Sequence, residues 1–330
     1  MREYGFELAL CAHLEATSDD LVSRQLGTGR HGRRVIDVLQ VEPTDEFDAR
    51  AAITPHAIPP RAIEAAVGPG RARDWRAAFD GHPERDRAAV ERAVEVGFLE
   101  RERRGGRTYV RQVARYPDWF GRLRGVENKP DLDAPGDLAL QLRKDVSLGL
   151  LDEVVLATAS YVTGAHLNRL PDAVGVWRFD PETGDRTVVR EPTPLDATGP
   201  GLEVLDEHPG RTEVRPVSAA ETARLRRRLA ERAYGKGWRT WTLPACARCA
   251  AGAESDAATP GLPACRYHGR LVHPAEECGP DCPGHDPADP PAVDLDAKRA
   301  RRSPWVADPA GRARRQAGLD HFRQSDERSG

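Results

Sequence analysis

The residues best able to do chemistry are Asp37 and the triplet Glu127-Asn128-Lys129. Asp37 is the single acid within the apolar residues Val35, Ile36, Val38, Leu39 and Val41. An acid in such a run needs a partner, a metal or an exposed strand end. Two carboxylates on adjacent strands can hold Mg²⁺ or Mn²⁺ through oxygen, leaving water positions for a phosphate and a nucleophile. Lys129 follows Glu127 by two residues and so shares its strand face. There an ammonium can orient the attacking water or offset phosphate charge. The set would cut a phosphodiester. An acid two residues before a lysine is weak evidence alone, since Asp296-Ala297-Lys298 repeats it where no strand is expected. Only Glu127 has strand-helix-strand surroundings, and the plainer alternative is an exposed ion-pair strand.

A second constellation lies in the cysteines. Cys11 falls on the apolar side of the first helix and reads as a core residue. The other five sit late: Cys246-x2-Cys249, fifteen residues, Cys265-x2-His268, then His273, Cys278-x3-Cys282 and His285. The first four donors have the spacing of a closed structural zinc site, and the later ones could complete another. One or two Zn²⁺ are expected. A closed four-ligand site has no open position, so its role is structure or partner contact. The alternative is a loose tail whose cysteines happen to cluster.

These residues need elements to position them. Phe6, Leu10 and Leu14, with Leu8 and Cys11, recur at helical spacing over 2–16. Strands are expected at 21–26 and 35–41, joined by the Gly-rich turn TGRHGRR. Residues 58–113 read as three short helices and a hairpin turning at Gly105-Gly106, with Arg101, Arg103, Arg104 and Arg107 at the tip. That is the pattern of a winged helix; its expected core is Ile63, Trp75, Phe79, Val90, Val94 and Phe98. A strand at GVENKP, a helix over 136–151, a strand EVVLAT, a short helix near His166 and strands VGVWRF and RTVVREP follow. Strands alternating with helices predict an α/β sheet with at least one parallel pair. A helix at 218–234 carries Arg224, Arg226, Arg227, Arg228 and Arg232, which read as a solvated face. After residue 244 the composition is too rich in Pro, Gly and Asp to build much core.

The order of these elements resembles the PD-(D/E)xK, restriction-endonuclease-like nucleases over roughly 1–50 and 120–195. The whole chain also resembles an uncharacterised family of haloarchaeal proteins, which supplies no activity. The nuclease resemblance implies a mixed α/β sheet flanked by helices. It gives Asp37 the place of the first acid, and Glu127 and Lys129 that of the E-x-K. Glu7 would match a helix-borne acid of some members, supporting the metal, and Gln141 a polar residue on the following helix. The long stretch between Asp37 and Glu127 departs from the pattern and makes the winged-helix-like segment an insertion. Asp118, in a literal Pro117-Asp118, competes for the place of Asp37, although its surroundings read as a short helix or loop.

The expected organisation is a nuclease-like core at 1–57 and 114–200, a winged-helix-like insertion at 58–113, a linker and Arg-rich helix at 201–243, and a small zinc-binding C-terminal module with a polar tail at 244–330. The 330 residues carry a formal charge of −3, which excludes a globally basic nucleic-acid coat. No apolar run is long enough to span a membrane, and the first residues lack a secretory pattern, so a cytoplasmic protein is expected. The leading expectation is a metal-dependent nuclease with DNA as partner. Its alternatives are an inactive nuclease-fold DNA-binding or regulatory adaptor, and a zinc-containing protein-interaction module.

Overall fold

The first helix forms where apolar residues recur every three to four positions, and it is enclosed on nearly all sides. α1 (Glu3–Thr17) buries Phe6, Leu8, Leu10, Cys11 and Leu14, and with them two acids, Glu7 and Glu15. The computed structural model describes residues 2–28, 34–133, 136–208, 210–251 and 261–309. Most of the expected turn between the first strands, residues 29–33, lies outside them.

Along the chain, α1 leads to β1 (Leu21–Gly27) and β2 (Val35–Pro43). Then come α2 (Phe47–Ala51), α3 (Pro60–Glu64), β3 (Arg73–Asp74), α4 (Trp75–Ala78), α5 (Pro83–Glu95), β4 (Leu99–Arg104) and β5 (Arg107–Gln112). Next are β6 (Phe120–Asn128), α6 (Leu138–Ser147), β7 (Glu153–Thr158), α7 (Gly164–Leu167), β8 (Gly175–Phe179) and β9 (Arg186–Arg190). The last part holds β10 (Gly201–His208), β11 (Arg211–Val217), α8 (Ala219–Lys236), β12 (Ala264–Cys265), β13 (Arg270–Leu271), α9 (Pro274–Glu277) and α10 (Leu295–Arg302).

The chain divides into two compact units, Met1–Glu42 with Gly121–Pro304, and Pro43–Phe120 with the described residues from Trp305 on. The first unit is mixed α/β. Its six-stranded sheet runs β1-β2-β6-β7-β8-β9. β1 and β2 are antiparallel, β6, β7 and β8 mutually parallel, and β9 antiparallel to β8. Every residue of β7 is buried, as a parallel strand covered on both faces requires. One face packs Val22, Val38, Val126, Val155 and Ala157 against α1.

One sequence expectation fails in this unit. Residues 201–217, which read as linker, form the β10–β11 hairpin. Its exposed Leu202, Leu205 and Val214, mixed with charges, leave no clean alternation to read. The segment after 244, which reads as core-poor, lays Ala251 and Leu262 on the cluster around α1. It borrows apolar surface from the N-terminal helix instead of building its own. The run of arginines on α8 is also more than a solvated face: Arg226 binds Asp152 at 2.8 Å and the Leu150 carbonyl at 2.9 Å.

The second unit packs three short helices, α3, α4 and α5, against a three-stranded sheet ordered β3-β5-β4. Phe79, Val90 and Phe98 are buried in its core, while Ile63, Trp75 and Val94 pack around it half-buried. The β4–β5 hairpin pairs Arg104 with Arg107 across two glycines of positive φ, 55° and 76°. That two-residue turn favours glycine at both central positions. β2, which precedes this unit, and β6, which follows it, lie side by side in the main sheet.

Candidate active site

β2 and β6, neighbours in the sheet, bring Asp37 and Glu127 together. The Asp37 Oδ2 atom accepts the Asn128 backbone N–H at 3.0 Å, so the acid of one strand grips the end of the other. On β6, Val126 packs toward α1 and the adjacent Glu127 therefore faces the opposite side. There Arg34 meets it, with Nη2 2.5 Å from Glu127 Oε2. The same guanidinium binds Asp145 of α6 through Nε at 2.8 Å and Nη2 at 2.6 Å.

Glu7 approaches from α1. Its carboxylate binds Arg24 of β1 and accepts from Gln25 Nε2 at 2.6 Å. The same Gln25 nitrogen lies 3.5 Å from Asp37 Oδ1, at the limit of a hydrogen bond. Gln25 has φ 51°, the left-handed region, and the Gln25–Asp37 pair is missing from an otherwise continuous β1–β2 ladder. Such strained, interrupted strand positions collect at functional sites.

The electrostatics separate the acids. Glu127 and Asp145 share Arg34, and Glu7 has Arg24. Among the described residues, Asp37 receives only neutral donors. Burial pushes its carboxyl up to about 8, with the charges of Glu127 and Glu7 adding to the rise. The Asn128 N–H and the charge of Arg34 oppose it. Burial also raises Glu127 and Asp145 above their ordinary values, with Arg34 working against it in both.

Of the residues singled out in the sequence, Asp37, Glu127 and Glu7 are thus in one neighbourhood. Lys129 sits just past the end of β6, half-buried, its backbone N–H on the Ala157 carbonyl at 3.0 Å. Its ammonium has no ion-pair partner among the described residues. Gln141 is half-buried on α6, and the side chain that reaches the acids from this helix is Asp145, one turn further on. Asp118 is exposed in the loop before β6, in the second unit, its N–H bonded to Glu46 Oε2 at 2.6 Å. Sequence reasoning missed Arg34, Arg24, Gln25 and Asp145. The signals were present: Arg24 sits at an inward position of β1, and Asp145 stands at i+4 from Gln141.

Among the described residues, no three His, Cys, Asp or Glu side chains stand around a common cation position. Mg²⁺ asks for less than that, since one or two carboxylates suffice when water and substrate phosphate fill the other positions. The hard oxygens of Asp37 and Glu127 suit it, and the unneutralised Asp37 is where a cation would relieve most repulsion.

The cysteines after residue 244 converge as well. Cys249 and Cys265 oppose each other in an antiparallel bridge. The Cys249 N–H binds the Cys246 carbonyl at 3.0 Å. His268 Nε2 lies 3.8 Å from Cys282 Sγ. The His273 ring lies tilted against Tyr4 with ring centres 4.4 Å apart, and the His285 N–H binds the Cys282 carbonyl at 2.9 Å. No helix among the described residues is long and apolar enough to cross a membrane.

No curated protein and no solved structure matches the chain. A family model does match it over residues 21–287, from β1 through the last of these cysteines and histidines, and the chain therefore belongs to DUF5787, a family of unknown function.

Proposed function

We propose that the chain is a metal-dependent nuclease acting on DNA, with a core of the PD-(D/E)xK, restriction-endonuclease-like kind. The observation that carries this reading is Asp37: a carboxyl pushed up to about 8, without a cationic partner of its own among the described residues, beside the buried acid Glu127. Packing alone gains nothing from such an arrangement. A divalent cation would remove its cost, and strongly perturbed acids concentrate at functional sites. Bound there, Mg²⁺ or Mn²⁺ supplies Lewis-acid stabilisation of phosphate charge and an acidified water.

The chain's own residues divide the remaining work. Asp37 and Glu127 hold the cation, Lys129 orients water or phosphate, and Glu7 buttresses Asp37 through Gln25. Arg34 must loosen from Glu127 for the second carboxylate to turn to the metal. The inserted unit, read as a winged-helix-like domain, offers the exposed Arg101, Arg103, Arg104 and Arg107 to a phosphate backbone. A cytoplasmic setting fits this reading.

Incubation of the purified protein with plasmid and branched DNA in Mg²⁺ or Mn²⁺, against a chelator control, tests it. Metal-dependent cleavage lost in Asp37→Asn and Glu127→Gln supports the nuclease; equal cleavage by both variants overturns it.

Arg34 favours a second reading. Its contacts with Glu127 and Asp145 already supply a fixed positive charge where a metal would stand. A nuclease fold stabilised in this way would serve as a DNA-binding or regulatory adaptor without turnover. Salt-dependent DNA retention with no cleavage in either metal would select it.

A further inference from the structure

We propose that Cys246, Cys249, Cys265 and Cys278 form a tetrathiolate site for one zinc ion. This regroups the donors that sequence spacing suggests, for it exchanges His268 for Cys278. The proposal does not depend on the nuclease reading.

The backbone assembles three of the four thiols. The Cys249 N–H bonds to the Cys246 carbonyl, so the two-residue spacing closes a tight turn. Cys249 then faces Cys265 across the antiparallel bridge. Hydrogen bonds of 2.8 Å from Ala250 N to Ala264 O and from Arg266 N to Arg248 O fix that bridge on either side. Opposed residues of an antiparallel pair hold their α-carbons about 5 Å apart, which lets both sulfurs reach one ion at about 2.3 Å.

The fourth thiol arrives from α9. Cys278 ends that helix, and α9 is pinned to the β12–β13 hairpin by Glu277, which binds Arg270 through both carboxylate oxygens and the His273 N–H at 2.8 Å. Arg2 binds the same carboxylate. This clamp sets Cys278 among the other thiols. Arg270 is the register partner of Cys265 across the β12–β13 hairpin, so the residue that holds Glu277 also brings the end of α9, and Cys278 with it, to the side of Cys265. His268, by contrast, pairs with Cys282.

Four soft thiolates suit tetrahedral zinc, and all these cysteines are free thiols. In closed sites of this kind the binding free energy of the ion is itself folding free energy. Zinc would lock the segment that lays Ala251, Leu262 and Leu271 on α1.

Metal analysis of protein purified without chelator should find zinc, about one per chain at this site. Cys278→Ser should remove that ion, with affinity falling roughly tenfold or more, while His268→Ala keeps it. Absence of zinc overturns the site. Iron with visible absorption overturns the metal, and zinc lost with His268→Ala but kept with Cys278→Ser overturns the ligand set. Should Cys278→Ser fail to fold, cobalt substituted into the wild-type protein reads the ligands directly. Sulfur charge-transfer bands of four thiolates support the proposal, and those of three sulfurs with one nitrogen refute it. Zinc content is read without any cleavage assay, so neither proposal can fail on the other's account.

Discussion

Arg34 forks onto Asp145, two hydrogen bonds of 2.8 and 2.6 Å joining the start of β2 to the helix that follows β6. All three partners of this network, Glu127 included, are largely withdrawn from water, their side chains 13%, 6% and 8% exposed for Arg34, Asp145 and Glu127. Removing the cation would leave two buried acids without a counter-charge. Arg34→Met should therefore cost about 3–5 kcal/mol at neutral pH. Because the loss comes from ionised acids, it should shrink as pH falls and they take up protons. Urea unfolding at pH 7.5 and pH 5 measures both quantities; an equal deficit at the two pH values would show that the charges are not its source.

Asp37 gives the opposite dependence from an ordinary salt-bridged acid. Its folded-state carboxyl lies near 8, above its usual value of 3.8. The folded chain then holds a proton that the unfolded chain has released, so stability falls as pH rises from about 4 to about 8 and levels off beyond. Asp37→Asn keeps an oxygen for the Asn128 N–H and removes the charge. It should raise stability by about 1–2 kcal/mol at pH 8 and change little at pH 4. Denaturant titrations across this range check the sign. If the nuclease reading holds, the same variant cleaves no DNA, more stable and inactive together.

Glu15 anchors the start of the C-terminal segment to α1. It takes both terminal nitrogens of Arg239, at 2.7 and 2.5 Å, and the Trp238 indole N–H at 2.9 Å. The ion pair is almost fully buried, at 3% and 2% side-chain exposure. Glu15→Ala strands the guanidinium and should cost about 3–5 kcal/mol. Glu15→Gln keeps oxygen and shape and should cost less. Thermal unfolding ranks the two.

The basic hairpin of the second unit separates DNA binding from stability. Arg103 and Arg107 are exposed, and Arg104 lies over the Tyr109 ring at 5.4 Å. Replacing all three with alanine should leave the core of Phe79, Val90 and Phe98 intact and shift stability by less than about 1 kcal/mol. DNA affinity should fall across sequences, and its salt dependence should flatten by about one unit for each phosphate no longer neutralised. An unchanged salt slope would remove this hairpin from any DNA interface.

How much of this could be read from the sequence depended on whether the decisive interaction was local. α1, β2, β7 and α8 carry strong periodic patterns and lie within a few residues of their expected bounds. Cys11 is fully buried, as its place on the helix implied. Asp37 stood out as an acid in an apolar strand, and Glu127 as the acid two residues before Lys129 in strand-helix-strand surroundings. Arg34 and Asp145 did not, since 111 positions separate them and neither is unusual in its own surroundings. The same holds for the thiols: spacing groups Cys265 with His268, whereas the proposed site, which draws on the bridge to Cys249 and the Glu277 clamp, groups it with Cys278.

The side-by-side placement of β2 and β6 also bears on the order in which the chain folds. Residues 44–119 all lie between these two strands, so pairing them from an open chain would close a loop of that whole length, an entropic cost that grows with the logarithm of loop size. The second unit's own interactions are mostly between near neighbours in sequence, the kind that form quickly. Once it has condensed, the loop is short in effect and the strands meet cheaply. Refolding should accordingly show protection at the Phe98 and Val110 amides before β2 and β6 acquire theirs, with the main sheet closing as the slower event.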